Sequence, residues 1–360
     1  MCVAAALAHV GQSGLSSLPV SHDVPPSDRP ARTLADLARL AGVSAGTVSR
    51  ALAGSSLVNP ETRQRIQALA AAHDFRVNQM ARRLRTQKTG VIGVVVPLGH
   101  ERRQHLSDPF FMTILGHLAD ALTENGYDVM LSRIIPDAED WLERIVDSGM
   151  LDGVLLIGQS DQMDAIERVA RRYRPLVAWG SRMPGQVHCT VGTENVAGGR
   201  IAAEHLIARG VRRIAFLGEI RAPELRERYA GICAAAAAAG LPAPLQLDTH
   251  MASDMMELEI AAHLTRHLDR IDGIAAGSDM IAMTTLRVLA DQGMAVPSDV
   301  PVIGYDDLPL GLQTVPRLTT VRQDIARGAR AMVERLFARI AGQEASPLVM
   351  PPQLVVRDSA

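Results

Sequence analysis

Beginning at Val91, short aliphatic runs alternate with segments of helix length, and this alternation limits the fold more than any other feature of the chain. Residues 91–96, 128–131, 153–157, 176–179, 213–217, 273–276 and 302–304 read as buried strands. Amphipathic helices are expected between them at 110–125, 163–172, 198–209, 253–270 and 279–292. Strands joined by helices run parallel, because a parallel pair needs a long crossover. The pattern therefore predicts an α/β body of doubly wound parallel sheets, with ligands at the carboxyl ends of the strands. About 270 residues of it exceed one ordinary domain, so two lobes with a cleft between them are expected.

A formal net charge of −2 over 360 residues hides an asymmetry. Residues 31–90 hold ten Arg and Lys against three Asp and Glu, so a basic head precedes an acidic remainder. Such a split is expected of a protein that meets phosphates at one end. Cys2, Cys189 and Cys233 are far apart, and no C-x-x-C or His/Cys cluster has zinc-ligand spacing. Neither a disulfide framework nor a metal or other cofactor is expected. The sequence has no G-x-S-x-G elbow, S-x-x-K, H-E-x-x-H, Walker loop or G-x-G-x-x-G, so an enzyme is not expected either. Residues 1–30, with Pro25, Pro26 and Pro30 among small polar residues, read as a flexible extension without the pattern of a signal peptide. With no later stretch apolar enough to span a bilayer, a cytoplasmic protein without membrane contact is the expectation.

Three helices are expected within residues 31–76. Thr33 can cap the first, which starts at Leu34, and Gly42 supplies the turn that follows it. Ser44 caps the second, which buries Val48, Ala51 and Leu52 and turns Ala45, Gly46, Thr47, Ser49 and Arg50 outward. Small and hydroxylated side chains let a helix lie deep in a major groove, and Arg50 can reach guanine or phosphate. Asn59 as N-cap and Pro60 as first helical residue begin the third. On spacing alone, a generic three-helix bundle with solvated arginines fits the same pattern. Residues 77–90 follow as a hinge helix and linker. With Asn78 as N-cap, Met80, Ala81 and Leu84 share one face and Arg82, Arg83 and Arg85 the other. Such a segment is too short to be stable alone. Paired with its symmetry mate it can wedge Leu84 into a minor groove while the arginines take phosphates. An ordinary basic linker is the alternative.

Residues 34–52 (LADLARLAGVSAGTVSRAL), 58–66 (VNPETRQRI) and 78–84, in this order and at these separations, resemble the DNA-binding head and hinge helix of the lactose-repressor (LacI/GalR-type) family. The resemblance implies that Thr33, Leu34, Ser44, Ala45, Gly46, Thr47, Ser49, Arg50, Asn59, Asn78, Ala81, Arg82, Leu84 and Arg85 meet double-stranded operator DNA. Leu84 falls on the family's intercalating leucine. Ala45 and Gly46 depart from the family's larger base-reading side chains, which implies weaker readout there. Asp108-Pro109-Phe110-Phe111, Gly126-Tyr127, Glu194-Asn195, Gly198-Gly199, Gly277-Ser278-Asp279, Gly304-Tyr305-Asp306-Asp307 and Gln323-Asp324 are similar to the family's periplasmic-binding-protein-like core. That core, residues 91–360, would bind ligand and dimerise. The resemblance implies crossings between lobes near 189–192, 318–322 and 350–354, with lobe 1 at about 91–190 and 322–352 and lobe 2 at about 191–320 and 353–360.

Candidate effector contacts follow the strands. Phe110 and Phe111 can stack on a sugar face or a base, or serve as helix core. By the resemblance Arg228 stands at the effector arginine, with Arg226 or a surface salt bridge as competing readings. Asp306 matches the hydroxyl-accepting carboxylate, or is a buried turn cap. Ser278 and Asp279 begin a helix, where they bind ligand or cap it, and capping is favoured for Asp279. Where sugar-responsive members carry an acidic residue after the fourth strand, this chain has Trp179-Gly180-Ser181-Arg182. A carboxylate is lost there and Trp179 offers a stacking platform. An insertion at 98–108, with His100, Arg102, Arg103 and His105, borders the site. The expectation is a ligand-responsive repressor of carbohydrate genes that binds a pseudo-palindromic operator. A homodimer is expected, since no heptad tail follows Arg357. Its effector would be a sugar, such as an α-glucoside oligosaccharide, or alternatively a nucleobase or nucleoside. A solute-binding protein shares the body, but the basic head argues against it.

Overall fold

The structure, a computed structural model, describes residues 31, 33–75, 88–99, 102–251 and 253–360, in two compact units that divide after Thr86. The hinge residues Asn78, Ala81, Arg82, Leu84 and Arg85, the extension 1–30, and His100 lie outside the described residues.

The first unit holds α1 (Leu34–Ala41), α2 (Ala45–Leu52) and α3 (Pro60–Ala72). Their boundaries follow from local chemistry. The Thr33 hydroxyl accepts from Asp36 N while the Asp36 carboxylate accepts from Thr33 N, a reciprocal cap on α1. Gly42 ends that helix at φ +63°, a left-handed conformation that a Cβ would strain. Ser44 accepts from Thr47 N at the start of α2, and Asn59 accepts from Glu61 N at the start of α3. Leu37, Ala41, Val48, Ala51, Val58 and Ile66 are buried together between the three helices. So small a core needs every one of these caps to hold its short helices.

The second unit is two sheets, each covered by helices. Lobe 1 begins with β1 (Val91–Pro97), α4 (Pro109–Glu124), β2 (Asp128–Ile134), α5 (Trp141–Val146), β3 (Gly153–Ile157), α6 (Met163–Ala170), β4 (Leu176–Trp179) and β5 (Cys189–Thr193). Lobe 2 continues with α7 (Asn195–Ala208), β6 (Ile214–Leu217), α8 (Pro223–Ala238), β7 (Leu245–Leu247), α9 (Ser253–His267), β8 (Gly273–Ala276), α10 (Asp279–Asp291), β9 (Val302–Asp306) and β10 (Thr319–Arg322). The chain returns to lobe 1 for α11 (Ile325–Ile340) and β11 (Leu348–Met350), then ends in lobe 2 with β12 (Gln353–Val355). Sheet order is β11-β5-β4-β3-β1-β2 in lobe 1, all parallel, and β12-β10-β9-β8-β6-β7 in lobe 2, where only the β12–β10 pairing is antiparallel. The three crossings fall after Thr193, after Arg322 and after Met350, the first two at or just beyond the ends of the ranges that the resemblance implies.

Helices on both faces explain why the inner strands read as unbroken aliphatic runs. Ile92, Val94 and Val96 face the cluster under α4 and α11, while Val95 faces the one under α5 and α6. The edge strand β2 corrects the expectation of burial at 128–131, since Asp128 and Leu131 are exposed and Val129 and Met130 only half-buried. Alternation does not mark β5, β7, β10, β11 and β12, which are short or polar, nor α5, α8 and α11. In lobe 2, α7 and α8 touch backbone to backbone. A Cβ on Gly199 would stand 1.9 Å from Arg228 O, and one on Gly231 would stand 2.0 Å from Val196 O. Only glycines permit that approach, and it places Asn195 and Arg228 side by side. Leu308, on the loop that follows β9, is 1% exposed within the core cluster of lobe 1. Among the described residues no helix is long and apolar enough to cross a membrane.

Candidate effector cleft and DNA-reading head

Phe110, Phe111, Trp179, Arg228, Ser278 and Asp306 all line one cleft between the lobes, of about 760 Å³ counting the space open at its mouth. Lobe 1 supplies an aromatic wall. Phe110, in the first turn of α4, meets Trp179 at the end of β4 edge to face, with ring centroids 6.2 Å apart. Phe111 is buried in the lobe 1 core and presents only its margin to the cleft. Asp108 caps α4 by accepting from Phe110 N, and burial raises its carboxyl above the usual range. Gln104 donates to Asp108, and Arg133 on β2 donates to the Gln104 carbonyl, which ties the 102–108 loop to the sheet.

Lobe 2 supplies a charged floor. Arg228 is buried and Arg226 exposed, which decides between the two arginines as to which faces the cleft. The Arg228 guanidinium donates to Asn195 Oδ1 at 3.0 Å and to Gly277 O at 2.5 Å, and lies over the Tyr305 ring, 3.7 Å from its centroid. Its Nη1 stands 4.0 Å from Asp306 Oδ1. Asp306, at φ +130°, ends β9 and accepts from Gln323 Nε2 at 2.7 Å. Burial pushes its carboxyl up to about 8, against the pull of Arg228. Ser278 is the cap of α10, accepting from Ile281 N. This corrects the capping role expected of Asp279. That carboxylate is instead buried behind the cleft, accepting from Leu308 N at 2.7 Å and Thr320 Oγ1 at 2.5 Å, and burial raises it to about 6.

Sequence reasoning missed Gln104, Ser160, Glu224, Met251, Met280 and Gln323, which also line the cleft. Glu224 is the most consequential. It enters from the first turn of α8 and places Oε1 2.7 Å from where a Cβ on Gly180 would stand. A carboxyl from lobe 2 thus occupies the space beside the position where lobe 1 lacks one. A second hollow adjoins the first and shares Asp108, Met251 and Met280 as walls, with His105, Ser107, Glu257, Thr284 and Arg287 around it.

In the head, Ser44, Ala45, Gly46 and Arg50 are exposed and Thr47 and Ser49 half-buried along α2. The Thr47 hydroxyl is 2.9 Å from that of Ser44. Thr33 and Asn59 are exposed caps, while Leu34 packs against the head core, so its side chain is a structural contact. Apart from Arg50 the exposed strip of α2 carries only small side chains, which is the shape a major groove admits.

A helix-turn-helix head followed by a two-lobed body with a lined cleft defines a DNA-binding transcription regulator of the ligand-sensing class. Residues 33–78 match the profile of bacterial regulatory proteins of the lacI family, and residues 203–360 match that of a periplasmic-binding-protein-like domain. The chain is 33% identical over 340 residues to the HTH-type transcriptional regulator CelR of Thermobifida fusca, covering 91% of this chain and 98% of that protein. Among solved structures, a complex of the transcriptional regulator CelR with cellobiose superposes with a TM-score of 0.66 at 30% identity, covering 92% of this chain and 100% of the other. The lac repressor dimer bound to operator and the anti-inducer ONPF shares the fold, with a TM-score of 0.80 at 24% identity over 92% of this chain and 99% of that one. The chain belongs to the lacI family of bacterial regulatory proteins.

Proposed function

We infer that this regulator is a repressor of carbohydrate-utilisation genes, which binds a pseudo-palindromic operator as a homodimer and answers to an oligosaccharide held between its lobes. Exposed residues of α2, from Ala45 to Arg50, read the major groove, and the hinge pair inserts Leu84 at the centre of the site. One observation carries the choice of ligand. The Phe110–Trp179 wall faces a set of acceptors and donors in Asp306, Arg228, Glu224, Asp108 and Gln323. A pyranose has an apolar face for the rings and a belt of hydroxyls for the polar groups, and so matches both sides. The adjoining hollow supports a ligand longer than one ring, since Asp108, Met251 and Met280 border both spaces. The cellobiose complex of the similar regulator makes glucose disaccharides the first to try. A nucleobase would stack on the same wall but leave most of these carboxyls without donors.

Sugar binding and operator binding must favour or oppose each other by the same factor, typically about 1 to 3 kcal/mol. The test is a thermal-shift series with glucose, cellobiose, maltose, adenine and adenosine, followed by gel shifts on operator fragments. A disaccharide at about one hundred times its Kd should stabilise the protein by about 2.7 kcal/mol. Arg228→Ala should remove that shift and the change in operator affinity while leaving sugar-free operator binding intact. Stabilisation by adenine or adenosine alone, or a full sugar response in Arg228→Ala, would overturn the reading.

A further inference from the structure

Two buried oxygens meet beside Gly180 without a hydrogen-bond donor between them. Gln159 Oε1 and Glu224 Oε1 are both buried and unpartnered, and they lie 2.6 Å and 2.7 Å from the point where a Gly180 Cβ would stand. They are therefore no further apart than those two distances together. Gln159 belongs to lobe 1, just after β3, and Glu224 to lobe 2. The other end of the Gln159 amide is engaged. Its Nε2 lies 2.8 Å from His188 Nε2, and His188 Nδ1 lies 2.5 Å from Glu167 Oε1. Glu167 is held in turn by the backbone N–H groups of Val187 and His188. Gln159 is 0% and His188 1% exposed, so no bulk water repairs a mismatch at the middle of this chain.

The geometry points to one proton held in common by His188 and Glu224, with the Gln159 amide turning over to serve whichever group lacks it. In the arrangement just described, neutral His188 donates from Nδ1 to Glu167 and accepts at Nε2 from the Gln159 NH2. The Gln159 carbonyl then faces Glu224, and a protonated Glu224 can donate to it. When His188 carries the proton, both ring nitrogens are donors. The amide reverses, its carbonyl accepts from His188 Nε2–H, and its NH2 donates to an ionised Glu224. Total charge is the same in both arrangements. Glu224 releases a proton to water and His188 takes one up, while the amide itself carries none. Burial favours neutrality at both ends, raising the Glu224 carboxyl and lowering the His188 ring. The charged neighbours are Arg228 and Glu227 at Glu224, and Glu167 and Arg339 at His188.

Gln159 and His188 are thus positioning residues for a carboxyl that faces the cleft. A sugar hydroxyl that donates to Glu224 selects the ionised form and, with it, the cationic ring in lobe 1. Occupancy of the cleft is written into the other lobe without any net uptake of protons. This deepens the proposed reading of the cleft, and its test needs no sugar, so failure here leaves that reading standing.

The experiment is a pH titration of His188 by side-chain 15N shifts in the full-length protein, with the resonance assigned by its loss in His188→Gln. Glu224→Gln should lower the His188 midpoint by about one pH unit, a tenfold loss of proton affinity. Glu227→Gln removes a charge from the same helix outside the chain of bonds and should not lower the midpoint, since its loss eases the ionisation of Glu224. In a Gln159→Leu background, Glu224→Gln should have no further effect. An unchanged midpoint in Glu224→Gln overturns the proposal. So does an equal shift in Glu227→Gln, or one that persists with Gln159→Leu, because either means that charge acts through space. Should Gln159→Leu fail to fold, the comparison of the two glutamate variants still decides.

Discussion

Asp306 shows how a single residue ties the cleft to stability. Its carboxyl rises from an ordinary 3.8 to about 8, so between those limits the folded chain holds a proton that the unfolded chain has lost. The stabilisation from this group is complete at acid pH and fades as pH climbs towards 8. The melting temperature of the unaltered protein should therefore fall between pH 5 and 8, and Asp306→Asn should flatten that fall and gain most at the alkaline end. Parallel melting curves for the two proteins across that interval would contradict the assignment. The cost in function would be loss of the sugar response. Of the six effector residues read from the sequence, five stand where a strand ends or a helix begins, places that pattern alone can locate, while Arg228, in the second turn of α8, is legible only through the family resemblance. Glu224 was hidden for a further reason. It lies on α8 and reaches its place only because lobe 2 meets Gly180 of lobe 1, a juxtaposition that no local pattern encodes.

At the scale of elements, the paired helices α7 and α8 form the most exacting contact in lobe 2. Gly231 sits with its missing Cβ 2.0 Å from Val196 O, and a backbone atom cannot swing aside as a side chain can. Gly231→Ala should force the helices apart and cost about 1 to 3 kcal/mol in urea unfolding. It should also weaken the sugar response, because Arg228 and Asn195 are set by the same contact. Unaltered stability and response would show that the interface is slack. Sequence alone reads the central strands well, since burial on both faces leaves little but Val, Ile, Leu and Ala. It reads β5 and β10 poorly because Thr190, Thr193, Thr319 and Thr320 interrupt the aliphatic signal while still being buried. Thr190, Thr319 and Thr320 find hydrogen-bond partners inside, as Thr320 does in Asp279, so burial without hydrophobicity escapes a periodicity argument.

For the molecule as a whole, the basic head and acidic body divide the work of finding DNA from that of sensing a metabolite. In DNA-binding proteins phosphate contacts position a head on any duplex, and base contacts distinguish the specific site. Leu84→Ala should accordingly weaken operator binding at least about tenfold while changing affinity for bulk DNA far less. An equal loss on both would remove the hinge role. Leu308 bears on how sensing can be transmitted. Its amide is held by Asp279 of lobe 2 and its side chain is sunk in the core of lobe 1, so it fastens the lobes together at the back of the cleft. Lobes joined by three chain crossings and this buried side chain rotate about that joint instead of sliding. Displacement then grows with distance from the fulcrum, and a rotation of a few degrees becomes a longer arc at the outer rim of the cleft. What fills that rim has the greatest leverage over the body, so a ligand's far end can govern the angle more strongly than the ring it buries deepest.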